Sequence, residues 1–155
     1  DYVWQLYCSN NPIQLQNVYK YQPSKTFKYL TNSLLAHIQR FPSINNGLNT
    51  IENTILSTVS NNTFSSKNKL IKHLLQEQEV YGFGDLQYFK KVDDLEELFE
   101  SFSPVKLNKS GQKIQQQLLN AYANFRDDFS FLGGAKKYNF LYDNSTQKLL
   151  KITSL

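Results

Sequence analysis

The sequence has no methionine, one cysteine, one tryptophan and two histidines among its 155 residues. A single cysteine, Cys8, cannot form an internal disulfide, which excludes a disulfide-stapled secreted scaffold and favours the cytoplasm. The missing initiator methionine predicts that the chain was cut from a longer protein, with an N-terminal partner domain before it. No apolar run approaches the roughly 20 residues of a membrane-spanning helix, and the start Asp1–Trp4 lacks the regions of a signal peptide. We therefore expect no membrane partner.

Few residues are available for metal-binding or nucleophilic chemistry. His37 and His73 have no cysteine or further histidine at metal-ligand spacing, and Cys8 lacks a convincing histidine and amide or carboxylate partner. Two glycines lie close together at Gly82 and Gly84, and two more are adjacent at 133–134. Phosphate-binding loops require a further glycine, or a lysine followed by serine or threonine, and neither pair has these. We predict no metal, no cofactor and no self-sufficient catalytic site, and we expect the chain not to be an enzyme.

Apolar side chains are plentiful, because hydrophobic residues make up 40% of the chain and aromatic residues 14%. That content, in a chain of this length, suffices for one folded domain or for a small domain with an appended hairpin. The net charge of +4 is unevenly distributed: residues 1–83 carry +3, residues 84–102 carry −4 and residues 103–155 carry +5. An acidic segment thus lies between two basic ones.

Helical periodicity marks most of the chain. An apolar stretch from Trp4 predicts a first helix or an initial strand, and Ser24 can cap a second helix that ends at Phe41-Pro42. Three further amphipathic helices are predicted one after the other. Their apolar faces consist of Ile51, Ile55, Leu56 and Val59, then of Leu70, Ile71, Leu74 and Leu75, and then of apolar residues from Leu86 to Phe99.

Short β segments are predicted after these helices. Pro104 ends the third of them, and Val105–Leu107 reads as a strand that runs into a turn at Asn108–Gly111. Helical spacing returns from Ile114 to Tyr122. After the flexible Gly133-Gly134 pair, alternation on both sides of a polar turn predicts a hairpin over 138–152.

Three helices followed by a strand and a Lys-Ser-Gly turn correspond to the winged-helix plan, in which the third helix reads DNA and the ribbon is the wing. We predict a mainly α (α+β) fold on this basis. Its parts are an N-terminal helical extension over 1–47, a winged-helix-like three-helix core with a small β wing over 48–122, and a C-terminal segment with a β-hairpin over 123–155.

Two sets of residues resemble known families. The segment 105–114 is similar to the leucine-threonine-x-x-glycine-arginine segment at the wing of many bacterial winged-helix regulators. A broader pattern comprises 37–43, 46–48, Glu52 with 55–56, 84–86 and 132–134. In order and spacing this pattern, within about Trp4–Ile152, resembles the C-terminal half of the bacterial family known as domain of unknown function eighteen thirty-five. The resemblance implies a separate N-terminal domain but no established activity, and this chain is rich in Asn and Lys where relatives carry Ala and Arg.

Nine residues are candidates for nucleic-acid contact. A DNA-binding module typically neutralises about 6 to 10 phosphates, and a reading helix contacts bases mainly through its N-terminal turns. Five acidic residues between 93 and 100 would repel a phosphate backbone, however, and favour a protein partner. The candidates are Lys67, Lys69 and Lys72 on the second core helix, Gln87, Tyr88 and Lys91 on the third, and Lys106, Lys109 and Lys113 at the wing.

A polar cleft is also predicted, built from His37 and Arg40 with Glu52 and Asp85. Such a cleft could hold an anion or a partner's carboxylate, although an ion pair that merely ties Arg40 to one of the acids is the more ordinary interpretation. Our leading hypothesis is a non-enzymatic binding or scaffolding module of a larger bacterial protein, with its own N-terminal domain or another protein as partner. The alternatives are sequence-specific DNA binding, and an active site completed by the missing N-terminal domain.

Overall fold

The computed structural model of the chain describes residues 2–20, 28–77 and 81–152. The prediction of a mixed α+β fold is confirmed, since the described residues form helices and three two-stranded antiparallel sheets. None of the helices in these described ranges combines the length and the apolar composition that crossing a membrane requires. The predicted helix cap at Ser24 lies outside the described residues.

The helices and strands have the following bounds. The α-helices are α1 (Tyr2–Cys8), α2 (Leu30–Ile38), α3 (Thr50–Asn61), α4 (Lys67–Glu77), α5 (Asp85–Asp94), α6 (Lys109–Gln115) and α7 (Tyr122–Phe125). Short 3₁₀ helices cover Pro12–Lys20, Glu96–Leu98 and Lys137–Asn139. The strands form the pairs β1 (Phe99–Phe102) with β2 (Val105–Leu107), β3 (Phe131–Leu132) with β4 (Ala135–Lys136), and β5 (Phe140–Asp143) with β6 (Lys148–Lys151).

Backbone proximity divides the chain into two compact units. We call residues 1–50 with 121–155 the terminal unit, and residues 51–120 the central unit. The sequence-based division treats the two chain ends as separate segments, whereas the structure groups them together. The physical reason is a set of backbone hydrogen bonds between the ends: the Tyr142 N–H donates to the Pro42 carbonyl at 2.7 Å, and the Ile44 N–H donates to the Tyr142 carbonyl at 3.0 Å.

The core of the terminal unit lies between α2 and the β5–β6 hairpin. The 3₁₀ segment Pro12–Lys20 contacts both α2 and β6. It contributes Leu15 to a core that also holds apolar residues at helical spacing on α2 and alternating apolar residues of the hairpin. The hairpin prediction over 138–152 is confirmed, with Tyr142 opposite Leu149 in its buried face. Leu15, Leu34, Ile38, Phe41, Leu132, Ala135, Phe140, Tyr142 and Leu149 form this buried cluster.

The β3–β4 hairpin is held against the end of α1. The Gly134 N–H donates to the Tyr7 carbonyl at 3.0 Å. A Cβ on Gly134 would overlap the Cys8 carbonyl oxygen, so only glycine permits this approach. Gly133 has a φ of +61°, a left-handed conformation that also favours glycine. The two glycines, predicted only as a flexible stretch, therefore form a tight turn that fixes α1.

The central unit contains α3, α4 and α5, followed by the β1–β2 ribbon and α6. The apolar faces predicted for α3 and α4 are buried, apart from the half-buried Leu75. On α5 the buried residues are Tyr88 and Val92, whereas Leu86 is exposed. Helix α5 packs against α4 within this unit.

The prediction of a third helix from Leu86 to Phe99 was wrong at its C-terminal end. Helix α5 stops at Asp94, a 3₁₀ turn follows, and the next four residues form β1. Phe99 pairs with Leu107 across the ribbon and both side chains are buried, so pairing and burial outweigh the helical spacing. Pro104 consequently lies in the turn between β1 and β2, after a cis peptide bond, and does not end the helix.

The prediction of a wing turn at Asn108–Gly111 was also wrong, because these residues begin α6. Asn108 is the N-cap, and its Oδ1 accepts the Gly111 N–H at 2.9 Å. Its Nδ2 donates to the Glu97 carbonyl at 2.7 Å. This capping satisfies helix donors that would otherwise lack partners. The helix predicted from Ile114 to Tyr122 is likewise interrupted, since α6 ends at Gln115 and α7 begins at Tyr122.

Candidate functional site

A groove of about 680 Å³ opens on the central unit. Its walls come from the C-terminal end of α3 and the loop after it, from the β1–β2 ribbon, and from α6. The volume falls within the roughly 300–1,000 Å³ typical of ligand-binding clefts. This groove is therefore a candidate site of the central unit.

Backbone and side-chain hydrogen bonds hold the groove's walls in place. The Val105 N–H donates to the Phe64 carbonyl at 2.9 Å and joins β2 to the loop after α3. The Gln112 Nε2 donates to the Leu107 carbonyl at 3.3 Å and ties α6 to the same strand. A Cβ on Gly111 would overlap the Leu98 carbonyl oxygen, so glycine allows α6 to approach this closely. The groove is thus bounded by elements fixed to β2.

The groove's lining is polar and electrically balanced. Glu100 and Lys106 are its charged members, one of each sign. Side-chain amides come from Asn62, Gln112, Gln115 and Gln116, hydroxyls come from Ser60 and Thr63, and apolar surface comes from Val59, Pro104, Val105 and Leu107. A primary amide both donates and accepts hydrogen bonds, as a peptide group does. The arrangement can therefore bind a polar backbone without a net charge.

Sequence reasoning missed the groove. Its amides match no catalytic or ligand-binding motif, and the segment 112–117 reads only as a helix rich in glutamine. The available signal was the repeated glutamine itself at Gln115 and Gln116, next to a buried strand. Which amides share one groove depends on how the end of α3 meets the ribbon and α6, which lie far from it in the sequence.

The six lysines predicted for phosphate contact have different surroundings. Lys67 forms an ion pair with Asp93 and its ammonium also lies 4.6 Å from the centre of the Phe102 ring. Lys106 is exposed on β2. The other four candidates lie on helices and are exposed: Lys69 and Lys72 on α4, and Lys109 and Lys113 on α6. The last two are thus helical residues and not part of a wing.

The three candidates on α5, Gln87, Tyr88 and Lys91, are less available than predicted. Tyr88 is 1% exposed, and its ring meets Phe83 edge-on at 5.6 Å between centroids. Burial raises the pKa of its phenol. The side chain is therefore a core residue and not a contact for DNA bases. The Gln87 Oε1 accepts the Gly84 N–H at 2.8 Å and so caps α5. Lys91 is half-buried in the last turn of the helix.

Charge is divided unequally between the two units. The central unit has eight lysines and nine acidic residues, for a net charge of −1. The terminal unit has nine basic and four acidic residues, for +5. The excess of positive charge therefore belongs to the unit that does not contain the three predicted core helices.

The residues of the predicted polar cleft belong to different units. His37 and Arg40 lie at the end of α2 in the terminal unit, whereas Glu52 and Asp85 lie in the first turns of α3 and α5 in the central unit. Glu52 is buried at 6% exposure. Asp85 is exposed, and its Oδ1 accepts the Leu86 N–H at 2.8 Å.

His37 is the most unusual titratable group of this set. It is 7% exposed and packs 4.8 Å from the Tyr7 ring and 6.1 Å from the Phe41 ring, measured between centroids. Burial, with a smaller contribution from the charge of Arg40, lowers its pKa from 6.5 to about 4. Its Nε2 has no hydrogen-bond partner among the described residues. The ring is therefore a neutral member of an aromatic cluster at physiological pH.

Within the described ranges, no three His, Cys, Asp or Glu side chains converge in a way that could hold a metal ion. No protein-family model, no curated protein and no solved structure matches the chain. The resemblance to domain of unknown function eighteen thirty-five therefore stays a prediction.

Proposed function

We propose that the chain is a non-enzymatic binding module that takes an extended, largely uncharged polypeptide segment in the groove of its central unit. The observation that carries this proposal is the groove's lining, which combines amides and hydroxyls with apolar surface and has one charge of each sign. An extended segment presents one N–H and one carbonyl per residue, and glutamine and asparagine side chains can pair with both.

The frame that carries the groove supports the same proposal. The order α3, α4, α5 and an antiparallel ribbon matches the order predicted for a winged helix, a frame that serves protein recognition as well as DNA recognition. Here the ribbon contributes Pro104, Val105 and Lys106 to the groove. The partner segment belongs either to another protein or to the N-terminal domain that the family resemblance predicts.

DNA binding is the second candidate function. Five exposed lysines favour it: Lys69, Lys72, Lys106, Lys109 and Lys113. Against it stand the central unit's net charge of −1 and the pairing of Lys67 with Asp93, which removes one of the predicted phosphate contacts. Since a module of this kind relies on about 6 to 10 phosphate contacts, polypeptide binding is the better-supported function.

Selection from a random peptide library on the purified chain tests the proposal. We expect selected peptides with few charges, whose dissociation constant rises about tenfold when Gln115→Ala and Gln116→Ala are combined, because two hydrogen bonds of ordinary strength are lost. The matched control combines Gln5→Ala and Gln76→Ala, two exposed helical glutamines outside the groove. Peptides that bind both double variants equally well, or an absence of selected peptides, would contradict the proposal.

A further inference from the structure

A second, smaller cavity of about 270 Å³ lies in the terminal unit, and nothing in the groove's proposed role involves it. Two hairpins build it. In β3–β4, Phe131 lies directly opposite Lys136, and in β5–β6, Phe140 lies directly opposite Lys151. Side chains that face each other across antiparallel strands share one face of the sheet. Each hairpin therefore presents a phenylalanine beside a lysine to the same cavity.

The charged residues that line this cavity are of one sign. Lys136 and Lys151 are exposed, and the residues that line the cavity include no carboxylate. Neither lysine takes part in an ion pair with another described residue. The neighbouring Lys137 differs, because it is buried and its ammonium lies 4.8 Å from the Tyr138 ring centre. The acidic residue of the second hairpin, Asp143, lies three residues from Phe140, about 10 Å away along the strand.

Three asparagines add neutral hydrogen-bonding groups to the cavity: Asn10, Asn11 and Asn139. The close approach of Gly134 to the end of α1 brings the first two beside the hairpins. The Asn11 Oδ1 accepts the Ile13 N–H at 3.3 Å, which leaves the donating end of that amide for another partner. The Ile152 N–H donates to the Asn139 carbonyl at 3.0 Å and fixes the end of β6 beside it.

One aromatic ring is open to solvent at the rim. Phe131 is 57% exposed, whereas Phe140 is 1% exposed and forms part of the wall. An exposed ring beside ammonium and amide groups suits a ligand that has both an anionic end and a flat ring. The cavity volume lies just below the roughly 300–1,000 Å³ of clefts for drug-sized ligands, which indicates a small ligand that stays partly exposed.

We propose that this cavity binds a small phosphate ester with a planar base, of the class of the nucleoside 5′-monophosphates. Lys136 and Lys151 bind the phosphate as point charges, and the asparagine amides donate to its remaining oxygens. The base stacks on the exposed face of Phe131. This site belongs to the terminal unit, and the proposal does not depend on the function proposed for the groove.

Calorimetric titration of the full chain with adenosine 5′-monophosphate, adenosine and inorganic phosphate at about 0.15 M salt tests the proposal, since that salt screens diffuse attraction between exposed charges. We expect the monophosphate to bind at least about tenfold more tightly than either fragment. Combining Lys136→Gln with Lys151→Gln should weaken its binding at least about tenfold, because charge-assisted hydrogen bonds are lost. The side chains are exposed, and circular dichroism verifies that the variant folds.

Two further variants separate the proposed contacts from general electrostatics. Combining Lys109→Gln with Lys113→Gln removes the same charge from an exposed helix of the other unit and should leave the affinity unchanged. Phe131→Leu should weaken binding of the monophosphate about fivefold or more and leave binding of inorganic phosphate unchanged. The proposal is overturned by an absence of monophosphate binding, by unchanged affinity in the Lys136 and Lys151 variant, or by an equal loss in the Lys109 and Lys113 variant.

Discussion

The two units of this chain differ in the surfaces they offer. The central unit carries −1 and has a groove lined by amides, hydroxyls and apolar side chains with one lysine and one glutamate. The terminal unit carries +5 and has a smaller cavity with two lysines and no carboxylate. The whole-chain charge of +4 conceals this division. The positive net charge of the whole chain therefore does not support DNA binding by α3, α4 and α5.

The units are alike in one respect, because each depends on a glycine that lies against a backbone carbonyl. Gly134 lies against Cys8 in the terminal unit, and Gly111 lies against Leu98 in the central unit. Each of these approaches positions an element that borders a proposed site: α1 beside the cavity, and α6 beside the groove. The comparison between the units can therefore be tested one unit at a time.

The largest effects are expected from alanine at these glycines. Gly134→Ala and Gly111→Ala should each lower the free energy of unfolding by about 4 kcal/mol, because the new Cβ forces backbone apart. Amide hydrogen exchange should accelerate in α1 and β3–β4 for the first variant and in α6 for the second. Gly84→Ala is the matched control: its Cβ meets no atom within 4 Å, and a poorer N-cap costs at most about 1 kcal/mol. Equal losses of stability in all three variants would show that Gly134 and Gly111 do not lie this close to backbone carbonyl oxygens.

A pH-dependent loss of stability should follow from His37 in the terminal unit. Its folded pKa of about 4 lies below the ordinary 6.5, so the unfolded chain takes up the proton first as the pH falls. The full stability is present above about pH 6.5, is lost between about 6.5 and 4, and does not change further below that range. The loss amounts to at most about 3 kcal/mol.

Urea unfolding of the wild type and of His37→Gln at pH 7 and pH 4.5 measures this loss. The wild type should lose more stability than the variant over that interval, since other titrating groups contribute equally to both. If the stability of His37→Gln depends on pH as the wild type's does, the assignment of His37 as a buried neutral side chain is wrong.

A smaller effect is expected at the helix cap in the central unit. Asn108→Ala removes both the bond to the Gly111 N–H and the bond to the Glu97 carbonyl, and should cost about 1–2 kcal/mol. Asn108→Asp keeps the acceptor but loses the donor, so thermal unfolding should place it between the wild type and the alanine variant. An alanine variant as stable as the wild type would show that Asn108 does not hold the groove-side helix.

Local patterns predicted α3, α4 and the first half of α5 because one apolar face repeats along each helix. They also predicted the last hairpin, where Phe140 and Tyr142 alternate with less buried residues and the turn begins at Asp143. The Asp143 carboxylate accepts hydrogen bonds from Ser145 and Thr146, which lower its pKa to about 2. Turn chemistry of this kind is local and can be read from sequence.

The predictions that failed depend on contacts made outside the segment whose spacing was read. Leu95, Leu98 and Phe99 continue the helical spacing, and the pairing of Phe99 with Leu107 that ends the helix cannot be read from that segment. The β3–β4 hairpin has only two residues per strand and depends on carbonyl groups of α1. Both proposed sites are missed for the same reason, since their residues come from elements that meet only in the fold.

Duplex DNA binding as a function of salt tests the central claim most directly, that the central unit suits a polypeptide and not a phosphate backbone. A labelled duplex is titrated at about 0.05 and 0.2 M salt with the wild type and with the variant that combines Lys106→Glu and Lys109→Glu. We expect any affinity and its salt dependence to be the same for both chains, within about twofold. Tight, steeply salt-dependent binding that the two substitutions abolish would contradict the account and restore DNA as the partner.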